Sequence, residues 1–196
     1  MEVRDAAGAP DVERAERAVH ELLLALGVDE GEHTKNTPAR VARSMIDQLW
    51  GYREVPEDHL DTDFPAPGDA GLIVMADIPV ISMCAHHLLP FSGRATVAYR
   101  PSRDQRIVGL SKLVRLVNGY AARLQVQEQL GYQVVSGIMR KLKPSGATCI
   151  ITATHDCLRL RGVKVAGVDT TTVASDGLLL PHEQEFIQKL HMESTH

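Results

Sequence analysis

Two short segments of the sequence hold most of the side chains that could bind a metal ion. They are CAHH at 84–87 and HDC at 155–157. Cys84 and His87 are separated by two residues, a spacing that lets one turn present both side chains to one ion. His155 and Cys157 alternate along a predicted strand, so both are expected on the same face. Zinc prefers thiolate and imidazole ligands, and a catalytic zinc keeps three protein ligands and one open position. At least one histidine, His86 among the candidates, would then remain for proton transfer.

Each segment alone also fits a simpler interpretation. The cysteines could be small buried apolar residues, and the paired histidines could lie on a surface. Together the two segments favour a metal site. Cys149 has no histidine nearby and is assigned to the core. The remaining histidines, His191 among them, stand in polar or terminal contexts and are expected to be solvated.

A second candidate site lies where a helix is predicted to begin, at VGLSKLVR. Free backbone N–H groups and the helix dipole attract phosphate to such a position. Lys112 and Arg115 are three residues apart, so they share one face of the first turns, next to Ser111. An ordinary solvated basic pair is the alternative. Further cationic candidates are Arg40, Arg43, Arg159 and Arg161.

The next predicted helix begins with an amide and a carboxylate, Gln127 and Glu128. A carboxylate can accept two N–H donors from the edge of guanine. A helix-capping role for Glu128 is the alternative.

The hydrophobic pattern predicts an α+β chain. A flexible tail is expected at 1–10, a helical extension at 11–70 and the main domain at 71–196. The predicted helices are 11–26, 37–50, 111–122, 126–142 and 182–191, with a long loop at 51–71. The predicted strands are 72–83, 94–99, 147–160 and 163–174. The order ββααββ implies a four-stranded antiparallel sheet with two helices on one face. Its other face and edges would need cover, which oligomerisation would supply.

Composition excludes several classes of function. The formal net charge is -4 and aromatic residues make up 4% of the chain, which disfavours a general nucleic-acid binder. No apolar run approaches the ~20 residues that cross a bilayer. The three cysteines are too few and odd in number for a disulfide framework. We therefore expect a cytoplasmic protein without membrane or nucleic-acid partners.

Five motifs together resemble the GTP cyclohydrolase I family. They are NTPARVA, SMCAHHLLPFSG, VGLSKLVRLV, RLQVQEQL and ATHDCLRLRGV, in the family's order over about 37–186. The resemblance implies a tunnelling fold: the ββααββ unit with extra N-terminal helices. It also implies a homodecamer with active sites between subunits.

The resemblance implies a role for each matching residue. The zinc ligands would be Cys84, His87 and Cys157. Proton transfer would fall to His86 and His155, with Ser111 assisting at the ribose. The triphosphate or ribose would contact Ser111, Lys112, Arg115, Arg161, Arg40 and Arg43. Gln127 and Glu128 would read guanine.

The implied reaction is hydrolysis of GTP at C8 with release of formate and rearrangement to 7,8-dihydroneopterin triphosphate. One departure from the family pattern bears on this reaction: Ala85 stands where the family normally has glutamate. Three alternatives stay open. The chain is an ordinary GTP cyclohydrolase I, or a paralogue that acts on GTP or a related purine and can stop at a ring-opened intermediate, or a non-enzymatic protein with a vestigial site.

Overall fold

The computed structural model describes residues 8–66, 68, 70–102 and 106–194. The helices in these ranges are α1 (Val12–Ala25), α2 (Thr37–Gln48), α3 (Leu110–Ala121), α4 (Gln127–Leu142), α5 (Asp156–Arg159) and α6 (Pro181–Ser194). The strands are β1 (Asp63–Pro65), β2 (Ile73–Cys84), β3 (Pro90–Arg100), β4 (Arg106–Val108), β5 (Leu124–Gln125), β6 (Gly146–His155) and β7 (Asp169–Gly177). Residues 1–7 of the predicted tail lie outside the described ranges.

The main sheet has the strand order β5-β2-β3-β6-β7. The pairs β2–β3, β3–β6 and β6–β7 are all antiparallel, which confirms the predicted four-stranded sheet. The two-residue strand β5 runs parallel to the end of β2 and was too short to predict. A separate pair, β1 with β4, lies outside this sheet.

Helices α3 and α4 cover one face of the sheet, as predicted. Their buried side chains, such as Leu113, Leu130 and Ile138, form one core with Val97 and Ile151 of the sheet. Fully burying a side chain of this kind stabilises the fold by about 1.5–3 kcal/mol. This packing fixes the ends of the strands and therefore the turns that connect them.

The other face of the sheet is partly covered by α6. Ile187 and Leu179 pack against Ala98 and Ile150. The prediction that His191 is solvated is wrong, because it is 3% exposed and bonded to the hydroxyl of Thr96 at 2.9 Å. None of the helices in the described ranges combines the length and apolar character that crossing a bilayer requires.

The largest differences from the sequence prediction lie in three segments. The predicted loop at 51–71 contains two short 3-10 helices, Trp50–Arg53 and Pro56–Asp61, and strand β1. The strand predicted at 147–160 ends at His155, where a helical turn begins. The strand predicted at 163–174 lies at Asp169–Gly177. Val163 and Val165 alternate as they would in a strand, although both side chains are exposed.

A buried carboxylate fastens the second 3-10 helix to α3 and α4. Glu57 is 6% exposed, accepts a hydrogen bond from the hydroxyl of Tyr120 and pairs with the guanidinium of Arg140. Burial alone would raise the pKa of Glu57, but the hydrogen bonds from Arg140 and Tyr120 outweigh it and lower the pKa overall. Because the folded state holds the ionised form, Glu57 stabilises the fold above its ordinary pKa.

Replacing Glu57 with glutamine should lower the free energy of unfolding by about 1–3 kcal/mol near neutral pH, because charge-assisted bonds to Arg140 and Tyr120 are lost. The carboxylate's contribution disappears as the pH falls below its ordinary pKa of 4.5. Urea unfolding, measured over a range of pH, should therefore show that the free energies of unfolding of the parent and of Glu57→Gln converge in acid. The exposed pair of Asp58 with Lys141 gives a control, since Asp58→Asn should change stability by less than about 1 kcal/mol. A difference in the free energy of unfolding between Glu57→Gln and the parent that is the same at every pH would contradict this account.

Candidate metal centre

The turn between β2 and β3 carries the first metal-binding motif. Cys84 is the last residue of β2, and its N–H donates to the carbonyl of Leu89 at 2.9 Å. Leu88 closes the turn with a positive φ of 52° and donates to the carbonyl of Cys84 at 3.0 Å. Cys84 is thereby buried at the base of the turn, while His86 and His87 are exposed on it.

The short strand β5 braces this turn. The N–H of Ala85 donates to the carbonyl of Gln125 at 2.9 Å. The side chain of Gln125 is itself buried and donates to the carbonyl of Tyr120 at 2.7 Å. The turn is therefore tied through Gln125 to the end of α3.

The second motif reaches the first through the pairing of β3 with β6. Phe91, near the start of β3, is the register partner of His155, the last residue of β6. The helical turn α5 begins directly afterwards and carries Cys157. The expectation that His155 and Cys157 alternate on one strand is wrong, because the chain turns into α5 between them. That turn directs Cys157 towards the β2–β3 turn.

Cys84, His87 and Cys157 come together at this end of the sheet. One ligand atom from each lies within 4.8 Å of the others. Burial raises the pKa of the Cys157 thiol, the hydrogen bond and charge of Cys84 add to the rise, and the guanidinium of Arg161 partly opposes it. The Cys157 thiol, buried next to the sulfur of Cys84, is suited to a cation between the two sulfurs, because a bound metal ion stabilises thiolate ligands. This set of two thiols and one imidazole matches the donors that zinc prefers, and three protein ligands leave one position of a four-coordinate ion for another ligand.

The two other histidines flank the three-residue cluster. The Nδ1 of His86 lies 4.0 Å from the sulfur of Cys84. The ring of His155 is stacked on Phe91, with 4.7 Å between centroids and an interplanar angle of 11°. Burial lowers the pKa of His155, and the negative charge of Glu128 opposes that shift. His86 is therefore next to Cys84, and His155 lies two residues before Cys157 in the chain.

One of the predicted anion-binding residues, Arg161, contacts the cluster. Arg161 donates to Nε2 of His87 at 2.7 Å. Lys112 and Arg115 lie on the first turns of α3, and within the described ranges the structure gives neither a hydrogen bond to the cluster. The remaining members of this predicted set are Ser111 on α3 and Arg40 and Arg43 on α2, all exposed.

The two residues predicted to read guanine have different surroundings. Glu128 is exposed at the start of α4. Gln127 is 2% exposed, and its amide is bonded to His155 and to the backbone of β6 and β7. Its oxygen and nitrogen are therefore engaged within the chain.

Sequence reasoning missed Phe91 and Gln125. Phe91 was hidden because its contact with His155 depends on strand register, which the hydrophobic pattern does not fix across a long connection. Gln125 was hidden because β5 is two residues long. If the strand register had been known, the pairing of residue 91 with residue 155 would have identified Phe91 as the aromatic partner of His155.

Comparison with known proteins gives a consistent set of relatives. The sequence profile of the family described as GTP cyclohydrolase I matches residues 15–192. A GTP cyclohydrolase 1 from Thermobifida fusca (strain YX) is 46% identical over 177 residues, covering 88% of this chain and 85% of the relative. A GTP cyclohydrolase 1 from Streptomyces avermitilis is 46% identical over 173 residues, covering 88% of this chain and 86% of the relative.

Among solved structures, an archaeosine synthase QueF-Like in the apo form aligns with 56% of this chain and 97% of its own, with a TM-score of 0.45 and 16% sequence identity. The family profile extends over most of the present chain and includes both halves of the cluster. The sequence relatives cover nearly nine tenths of it at almost half identity. On this basis the chain belongs to the GTP cyclohydrolase I family.

Proposed function

We propose that this chain hydrolyses GTP at C8, releases formate and forms 7,8-dihydroneopterin triphosphate, with zinc held by Cys84, His87 and Cys157. The observation that carries the proposal is the convergence of these three side chains, with two histidines beside them, in a member of this family. A zinc ion bound there lowers the pKa of water and so supplies a nucleophile near neutral pH.

The chain's own residues divide the remaining work. His86 and His155 move protons, one of them to the imidazole nitrogen of the purine as its ring opens. Glu128 accepts N–H donors from the guanine edge. Lys112 and Arg115 hold the triphosphate at the start of α3. Further contacts to the triphosphate or ribose come from Ser111, Arg161, Arg40 and Arg43.

We propose further that the active sites lie between subunits of a homo-oligomer, a homodecamer by the family resemblance. Two features support this. Strand β7 forms an outer edge of the sheet, and exposed edges tend to acquire partners. The segment between α5 and β7 also exposes the apolar side chains of Val163, Val165 and Val168. Sedimentation of the active protein checks the proposal, and a monomer with full activity would contradict it. A cytoplasmic location stays a prediction from the sequence.

Incubation of the zinc-loaded protein with GTP tests the reaction. We expect stoichiometric formate and, after oxidation, fluorescent neopterin. Formate or a formamide without neopterin would favour a paralogue that stops at a ring-opened intermediate. No turnover of GTP would contradict the proposal and direct the search to another purine or to a non-enzymatic role.

One residue favours the second candidate, a paralogue with altered later steps. Ala85 is exposed on the β2–β3 turn, next to His86, where the family normally has glutamate. A carboxylate there would stabilise the protonated form of a neighbouring imidazole. Its loss leaves the proton-transfer step without that partner.

Replacing Ala85 with glutamate should raise the rate of neopterin formation about tenfold, at the low end of what a positioned acid or base contributes. The exposed position has room for the longer side chain. Ala85→Gln is the matched control, since it adds similar volume without charge and should leave the rate near that of the parent. Equal rates and products for Ala85→Glu and the parent would show that the departure has no consequence.

A further inference from the structure

Gln127 is a buried amide that joins three elements of the fold. It is the first residue of α4 and is 2% exposed. Its Nε2 donates to the carbonyl of Ile151 on β6 at 2.9 Å and to the carbonyl of Thr170 on β7 at 2.9 Å. The hydroxyl of Thr172 lies 3.2 Å from the same nitrogen. Every donor of this amide is therefore used within the protein.

These contacts determine which way the amide points. Backbone carbonyls can only accept hydrogen bonds, so the NH2 end must face Ile151 and Thr170. The opposite orientation would set the amide oxygen against two carbonyl oxygens and leave buried groups unsatisfied. The Oε1 of Gln127 consequently faces the ring of His155, 2.7 Å from Nε2.

The orientation of the amide in turn determines the tautomer of His155. Oε1 can only accept, so Nε2 of the neutral ring must carry the hydrogen. Nδ1 is then the unprotonated nitrogen, the one able to accept a proton. The parallel stack on Phe91 holds the plane of the ring at the same time. Tautomer and ring plane are thus both fixed by neighbours, as in other sites where an acceptor orients a working histidine.

We propose that Gln127 is a positioning residue for His155 and not a reader of the purine. It keeps His155 in the Nε2–H tautomer, with Nδ1 free for proton transfer. The tautomer follows from geometry alone, whereas its use in catalysis rests on the proposed function. The proposal also gives β7 a part in the site, because Thr170 and Thr172 help to hold the amide.

A double-mutant cycle with His155 tests the role in catalysis. Gln127→Ala should lower kcat for formate release about 10- to 100-fold, the range seen when an outer partner of an active-site histidine is removed. In a His155→Ala background the same change should have no further effect, because Gln127 acts through that ring. Affinity for GTP, measured by equilibrium dialysis in the His155→Ala background, should stay within about twofold.

A purine-reading role gives the opposite results. Gln127→Ala would then weaken GTP binding, and its effect would add to that of His155→Ala. Either result overturns the proposal. Gln184→Ala is the matched control, since Gln184 also donates its amide to a backbone carbonyl, that of Leu179 at 3.0 Å, but lies on α6. It should leave kcat unchanged, and thermal unfolding of all variants excludes loss of fold as the cause.

A spectroscopic readout stands independently of turnover. In zinc-loaded protein labelled with 15N-histidine, at a pH where imidazole is neutral, the His155 resonances should report hydrogen on Nε2 only. Their assignment comes from their absence in His155→Ala. Gln127→Ala should give a mixture of tautomers. Hydrogen on Nδ1 in the parent, or a single unchanged tautomer in Gln127→Ala, would overturn the proposal. If GTP is not turned over but these resonances behave as expected, the proposed reaction is wrong and the positioning stands.

Discussion

Replacing Cys157 with alanine is expected to reduce bound zinc from stoichiometric to trace levels and formate release to background. Only Cys84 and His87 of the three-residue cluster would remain, and two ligands do not complete a catalytic zinc site. The fold should survive, because Cys157 is only partly buried at the edge of the core. Metal content after gel filtration, measured by elemental analysis, and formate release on the same samples check both parts.

Cys149 provides the matched control for that change. It is fully buried on β6, and burial raises the pKa of its thiol to about 12, so it behaves as an apolar core residue. Cys149→Ala should keep stoichiometric zinc and GTP turnover while losing some stability. Retention of zinc by Cys157→Ala, or its loss in Cys149→Ala, would place the metal elsewhere.

Replacing Gly93 with alanine should prevent β3 and β6 from pairing at their present separation. A Cβ atom at this position would overlap the carbonyl oxygen of Thr152 and lie 2.6 Å from Cα of Ala153. Both obstacles are backbone atoms of the paired strand, so no side chain can move aside. We expect a loss of at least about 3 kcal/mol in the free energy of unfolding, the upper end for overpacked sites. Chemical denaturation, or the soluble yield if the variant does not fold, measures the effect.

Gly31 is the matched control for Gly93. A Cβ there would meet only the hydroxyl of Thr34 at 3.6 Å, which is ordinary contact. Gly31→Ala should therefore change stability by less than about 0.5 kcal/mol. A Gly93→Ala protein as stable as the parent would mean that the two strands are further apart than described. Because Gly93 lies close to Phe91, a folded but shifted variant should also lose GTP turnover.

Much of this architecture could be predicted from local patterns. Leu130, Val134 and Ile138 recur every four residues, which marks a helix with one buried face, and α4 has that face. β-branched runs identified β2 and β3. The cluster at Cys84 and His87 followed from ligand types at turn spacing. These patterns involve only residues that are close in sequence, so the sequence alone predicts the structure that they form.

What depends on distant contacts could not be predicted. Cys157 was expected on a strand, but the chain bends into α5 after His155 because the sheet pairing stops there. His191 resembles a surface residue in sequence and is buried only because α6 folds back on the sheet. The family pattern predicts a substrate-binding role for Gln127. Only the positions of Ile151 and Thr170 reveal that its amide is hydrogen-bonded within the chain.

The bracing of the β2–β3 turn by β5 has a consequence for how the site tolerates mutation. Cys84, Ala85 and His86 are carried on a loop whose backbone is bonded to Gln125, a residue outside the loop. Side chains on this loop can therefore be exchanged while its path is kept. Replacement of one of them, such as the proposed Ala85→Glu, is therefore expected to change the chemistry without requiring the fold to be rebuilt. A change at a single exposed position of this turn could therefore give the same fold a different catalytic reaction.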